Sequence, residues 1–248
     1  MDRRAFLLGA VGVGVGAAVG ASGVADAATG GRAVFRWEVF GGFVSPWWAA
    51  TRAPRLAVYR DGTAIAEASR RIRLAPGALV LLERHAVRVL SDPANSHRRD
   101  GVPVIADAPS TRFDARDWNG RHYTAIVEAL EEYRDQHAYP KPMYELLDHA
   151  TRLHDYIVAQ GRAYRPDAVR LIVLEVDQTD GPVGPWPSGV PVPRIDPNNR
   201  VGRRDLHGLV ARKAVRGIGP RPAGDWPTLK TRDGRLLQTA WRYLLPDE

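Results

Sequence analysis

Three Xaa-Gly pairs punctuate the chain between strand-like runs: Asp61-Gly62, Asn119-Gly120 and Asp233-Gly234. A chain that reverses at such a pair lays its flanking runs side by side in opposite directions. The first and last pairs predict hairpin turns, with glycine supplying the positive φ of a type I′ turn. Asn119-Gly120, flanked by residues 111–117 and 121–129, is the strongest short hairpin signal. This restricts the fold to one dominated by antiparallel pairing.

The rest of the pattern fills in around the hairpins. Residues 33–40 (AVFRWEVF) alternate as a strand and end at Gly41-Gly42; residues 55–60 and 64–66 flank the first turn. Leu79, Leu82, Ala86 and Val89 recur at steps of three and four, predicting a helix over residues 78–90 that stops at Asp92-Pro93. Met143, Leu146, Leu147, Ala150, Leu153 and Ile157 line a second helix over residues 143–160, with Gly161 as its stop. Residues 169–176 (VRLIVLEV) read as a buried central strand. The order is β-β-β-α-β-β-α-β, an α+β fold with a mostly antiparallel sheet and helices on one face.

Residues 178–204 change character: ten of these 27 are proline or glycine. They read as an irregular linker over the surface, anchored by Trp186. Beyond it lies a small α+β tail with a short helix near residues 206–217 and a hairpin over residues 228–244. The expected organisation is an α+β domain over residues 28–177, the linker at 178–204, and a basic C-terminal subdomain at 205–248 packed on the first.

The N-terminus reads as an address. Arg3-Arg4 precede Phe6-Leu7, an uncharged stretch over residues 5–25 follows, and Ala25-Asp26-Ala27 fits a small-residue cleavage site. Paired arginines in this setting resemble a twin-arginine export signal. Six glycines make the stretch a poor membrane helix, and an uncleaved anchor is the competing reading. After removal of residues 1–27 the chain keeps 33 basic and 26 acidic residues, a net charge of +7. From Arg194 onward there are 12 basic and 6 acidic residues. Such a tail on an exported chain suits anionic envelope polymers or lipid headgroups, or it is simply a solvated arginine-rich surface. No nucleic-acid-binding motif is present.

Function classes narrow by elimination. The chain has no cysteine, which excludes disulfides, iron–sulfur clusters, thiolate zinc sites, a cysteine nucleophile and a lipidated N-terminus. His149 and His154 are five apart, not the four that a zincin pair needs. No other histidine pair has a metal-ligand spacing, and no cofactor motif appears. There is no G-x-S-x-G elbow. Asp107, Thr111 and His122 are the best available carboxylate, hydroxyl and imidazole for a hydrolase, although Asp107, Ser110 and Thr111 also suit a loop that bonds its own backbone.

The segment FGGFVSPWW, residues 40–48, is the better candidate site. If it is extended, Trp47 and Trp48 face opposite sides, one toward the core and one outward or beneath the linker. A buried tryptophan removes roughly 200 Å² from water, several kcal/mol at about 25 cal/mol per Å², so one ring needs no ligand to explain it. The other suits a sugar ring or a lipid interface, with Arg203, Arg204 and Arg212 as its expected basic partners.

These motifs resemble a group of exported actinobacterial proteins of unknown function. The likeness rests on Gly41, Gly42, Phe43 and Pro46; on Pro54, Arg55, Leu56, Val58, Tyr59, Asp61, Gly62 and Ile65; on Ala106, Asp107, Ala108 and Thr111; and on the ending WRYLLPDE, residues 241–248. It spans most of the chain after residue 27. The resemblance implies a fold and an address, and no reaction. The expectation is therefore an exported binding protein of the cell envelope, with a hydrolase and a structural partner of another envelope protein as alternatives.

Overall fold

The computed structural model describes residues 31–219 and 226–248. The expected export signal, residues 1–27, lies outside the described residues. In chain order the elements are β1 (Phe35–Gly41), α1 (Pro46–Thr51), β2 (Leu56–Val58), β3 (Thr63–Ala66), β4 (Arg70–Arg73), α2 (Pro76–Leu90) and a 3-10 turn (Pro93–Ser96). Next come β5 (Pro109–Arg116), β6 (His122–Glu128), α3 (Lys141–Gln160), β7 (Arg162–Ala163) and β8 (Ala168–Val176). The chain closes with β9 (Val183–Pro185), β10 (Val201–His207), α4 (Gly208–Ile218), β11 (Thr228–Lys230) and β12 (Leu236–Tyr243).

The fold is α+β and built on two sheets. The first has seven strands in the order β6-β5-β1-β2-β3-β4-β7, and every pairing is antiparallel. The second has five strands in the order β10-β8-β12-β11-β9. Its pairings are antiparallel except β9 with β11.

All three predicted hairpins form, through a different turn. In each, one backbone N–H reaches the carbonyl four residues on, and the glycine N–H returns to the starting carbonyl: Tyr59 with Thr63 and Gly62, Asp117 with Arg121 and Gly120, Thr231 with Arg235 and Gly234. Only the glycine has positive φ, at 88°, 82° and 89°. These are three-residue loops closed by a glycine bulge, not two-residue type I′ turns. Gly62 is also sterically required, because a Cβ there would stand 3.0 Å from the Leu74 carbonyl oxygen.

Residues 169–176 are a central strand, as their apolar run predicts, but of the second sheet. β8 pairs with β10 and β12, so the chain passes between sheets after β7. The Pro/Gly-rich stretch is likewise more than a surface wrap. It contains β9, and residues 201–204 belong to β10. Trp186 does anchor it: its indole N–H donates to the Val190 carbonyl at 2.7 Å, and its ring packs on the core under α4.

Helices α2 and α3 share one face of the first sheet, around fully buried Phe35, Trp37, Phe113, Leu82, Met143 and Leu147. The other two helices serve the second sheet. α4 packs Ala211, Ala214 and Ile218 on Leu171, Val173 and Leu237. α1 packs Trp47 and Ala50 on the opposite face, against Ile172, Val201 and Ala240.

The sheets are joined by the last residues of the chain. Leu245 sits with Ala57, Tyr59, Ile65 and Tyr164 on the outer face of the first sheet. Asp247 accepts hydrogen bonds from Arg36 at 2.7 Å, the Tyr59 hydroxyl at 2.8 Å and the Ala33 N–H at 3.2 Å. Burial and the Asp247 charge push the Tyr59 hydroxyl far above its ordinary range. Glu248 takes a bidentate pair from Arg242, both contacts at 2.6 Å, and the Leu245 N–H at 3.0 Å. Burial opposes ionisation of Glu248, yet Arg242 holds it below the usual carboxylate range. Tyr164 donates to the Leu244 carbonyl at 2.8 Å, and burial pushes its hydroxyl up to about 12.

Two histidines meet between α2 and α3. His85 and His149 are stacked with ring centroids 5.5 Å apart and Nδ1 atoms 3.2 Å apart. Burial, reinforced by nearby Arg88 for His85 and by His85 itself for His149, lowers both below the ordinary 6.5. His154, one turn further along α3, is 9 % exposed and packs edge-on against Trp37. It reaches Glu67 at 3.3 Å and Asp155 at 2.9 Å. The Glu67 hydrogen bond outweighs burial and raises it.

Two outcomes follow from these contacts. Asp247→Ala leaves Arg36 and Tyr59 facing a vacated seam, and urea unfolding is expected to show a loss of about 2–4 kcal/mol. For the histidine pair, the unfolded chain binds protons first as pH falls, so its stabilisation is full above about 6.5 and is lost through the lower folded values. His154 has the opposite sign: its contribution is present below about 6.5 and is lost as pH rises through its raised value. Melting temperatures between pH 8 and pH 5 should therefore fall less in His85→Ala/His149→Ala than in the parent.

Candidate functional site

The aromatic loop starts where β1 leaves the first sheet. Gly41 and Gly42 take positive φ, 68° and 78°. A Cβ on Gly42 would stand 3.3 Å from the Asp107 carbonyl oxygen and the Pro109 nitrogen, so glycine permits the close approach. Phe43 N–H then donates to that same Asp107 carbonyl at 3.1 Å. Asp107 is itself left-handed, with φ 57°. Its placement explains why the GGF and ADA stretches belong together: the second holds the backbone of the first.

The tryptophans are helical rather than extended. Ser45 caps the Trp48 N–H at 3.3 Å and Pro46 occupies the first turn, a pairing that starts a helix. Neighbours on a helix point about 100° apart, so the two rings still part company. Trp47 is 6 % exposed and meets Trp226 edge-on with centroids 5.2 Å apart. Trp48 is 52 % exposed, with Trp226 edge-on at 6.5 Å. Phe43 is 92 % exposed and Phe40 41 %. The sequence singles out the tryptophans; it does not single out Phe43 as the most exposed of these rings, nor Trp226 as the ring that meets both indoles edge-on.

The expected basic partners divide between two faces. Arg203 pairs in register with Ile172, so it shares the α1 face of the second sheet with Val201 beneath Trp47. Arg204 pairs with Leu171 and so faces α4. Arg212 lies on α4 and pairs with Asp167 at 2.9 Å. Adjacent strand residues alternate faces, so the three arginines do not form one patch with the tryptophans. Exposed Arg52, directly after α1, is nearer in sequence to the loop than any of them. Between the sheets, Glu38, Phe40, Ala49, Arg52, Arg242 and Glu248 line a cavity of about 190 Å³.

The hydrolase set does not assemble. Thr111 pairs with Val127 and His122 pairs with Arg116, five positions along the same ladder, roughly 17 Å at about 3.4 Å per residue. Thr111 is 3 % exposed on the helix-covered face, whereas His122 lies on the other. Asp107 works through its backbone. His122 instead bonds Asp114 at 2.9 Å, beside Thr124, which also bonds Asp114. Arg112 holds the second Asp114 oxygen at 2.8 Å. Asp114 is thus shared by a cation, an imidazole and a hydroxyl on the strand face opposite the helices.

Of the histidines, 149 and 154 diverge as their spacing requires. The contacts that matter were visible in the helix period: His154 is four residues after Ala150 and three before Ile157, on the same apolar stripe. Among the described residues, no three His, Asp or Glu side chains are grouped to hold a metal ion.

Compared with protein-family models, with curated proteins and with solved structures, the chain matches none.

Proposed function

We propose that this is an exported binding protein of the cell envelope that docks on an anionic surface through its aromatic loop. The observation that carries the reading is Phe43, 92 % exposed beside half-exposed Trp48 on a backbone tied at both ends. Solvent-facing rings on a held backbone suit insertion at a lipid or polymer interface, because little ordering remains to be done on contact. Two exposed arginines accompany it: Arg52 directly follows α1, and Arg203 lies on the second-sheet face that α1 covers. Each basic residue near an anionic surface contributes about 1 kcal/mol. Export rests on the twin-arginine-type start and on the resemblance of the motifs. No helix among the described residues is long and apolar enough to cross a membrane.

A second reading, a structural partner of an envelope protein, is favoured by one observation. β6 is an edge strand of seven residues with Ile126 55 % exposed, and such an edge can accept another strand.

The test uses residues 28–248 with phosphatidylglycerol vesicles and, separately, with an anionic envelope polymer, each at low and high salt. Binding is expected to weaken with salt, and Phe43→Ala or Trp48→Ala should reduce it about tenfold or more while the melting temperature stays near that of the parent. Equal binding by both variants, or no binding to either surface, would sink the docking reading.

A further inference from the structure

A second cleft opens beyond Ala53, on the helix-covered side of β1. It has a volume of about 430 Å³ and is lined by Val39, Arg52, Ala53, Arg55, Glu67, Pro109, Thr111, Glu131 and Glu132. That is room for a small metabolite. The unusual feature is its charge. Arg52 and Arg55 enter it from the α1–β2 connection, Glu131 and Glu132 from the turn after β6, and none of the four forms an ion pair with any described residue. An exposed ion pair gains little over solvation, so charges of both signs can share a concave wall and remain open to a ligand. None of these Arg–Glu pairs comes within 4.0 Å.

Arg55 is the built part of the site. Its guanidinium lies over the Trp37 ring at 5.2 Å, and Trp37 is completely buried and braced by Phe113 and His154. Stacking fixes the plane of the cation while leaving its N–H fork without a carboxylate. Glu67 lines the cleft while bonded to His154, whose second nitrogen faces Asp155. Val39, Ala53 and Pro109 supply apolar wall.

We infer that this cleft binds a small zwitterion of the amino-acid class, its carboxylate on Arg55 and Arg52 and its ammonium on Glu131 and Glu132. A fixed guanidinium fork matches a carboxylate in bidentate geometry, and two unpaired carboxylates opposite match an ammonium. A ligand with both charges completes both halves at once; an anion or a cation alone leaves one half unmet and meets the like charge across the cleft. The site shares Arg52 with the proposed docking face, but it rests on Arg55, Glu131 and Glu132 and does not depend on the docking reading.

The test is calorimetric titration of residues 28–248 with free aliphatic amino acids and with short dipeptides, the two sources of this chemistry. Each is accompanied by its N-acetyl and its carboxamide derivative. Binding of at least one parent compound is expected, with a loss of about tenfold or more in either blocked derivative. The same loss is expected in Arg55→Gln and in Glu131→Gln/Glu132→Gln. The two glutamates are exposed, so the double variant keeps the fold even if Arg55→Gln disturbs Trp37. Vesicle binding should not weaken in the glutamate variant and should fall about tenfold or more in Trp48→Ala, which distinguishes this site from the loop. No heat from any amino acid or dipeptide, equal binding of a blocked derivative, or full binding by the glutamate variant would overturn the inference.

Discussion

Two carboxylates at the end of the chain hold the two sheets in register. Asp247 is bonded to the first sheet through Arg36 on β1 and Tyr59 just after β2; Glu248 is bonded to the second through Arg242 on β12 and Arg170 on β8. Each carboxylate is largely withdrawn from water, with side-chain exposure of 12 %. Removing a charge from water is costly unless it is paired and hydrogen-bonded. Both are, and the geometry that satisfies them at the same time is the one in which the sheets meet over Leu245. The ending WRYLLPDE reads as a motif because it carries both halves of this seam.

The aromatic loop depends on the same arrangement. Its first half is tied by backbone to the loop before β5, through Asp107. Its second half is seated by Trp47 on the second sheet. The exposed rings therefore project from a bridge between two rigid supports. The cleft inferred to hold a zwitterion uses the continuation of that bridge: residues 52–55 leave α1, contribute both arginines and enter β2.

Local chemistry was legible in the sequence, and long-range partnership was not. Asp61-Gly62, Asn119-Gly120 and Asp233-Gly234 marked their hairpins because glycine alone tolerates the bulge conformation. The turn type escaped, since whether the preceding Asp or Asn also turns left-handed depends on strand twist. Both long helices are legible in their apolar stripes, each two residues short at its start. The run at 169–176 was recognisable as a buried strand, but nothing in an apolar run says which sheet it joins. Ser45-Pro46 is a helix-start signal, but the six residues of α1 are too few to show a helical period, so the segment reads as extended. Thr111 and His122 looked close because a hairpin brings strands together; register placed them at opposite ends and on opposite faces. The charged cleft was invisible because Arg55, Glu67 and Glu131 converge only after three separate connections are in place.

The seam also has a kinetic meaning. Asp247 closes onto Ala33, Arg36 and Tyr59 across separations of 214, 211 and 188 residues. Contacts so distant in sequence reward the chain only after the loops between them have been closed, which makes them late and slow to form. Until then Leu245, Ala57 and Ile65 have no cover. Two sheets stitched in this way gain their last stabilisation together, so the molecule is driven toward a single all-or-none transition although it has more than one core. Under the proposed twin-arginine route, whose translocase carries folded cargo, such a chain presents itself as either closed or visibly unfinished, with little in between.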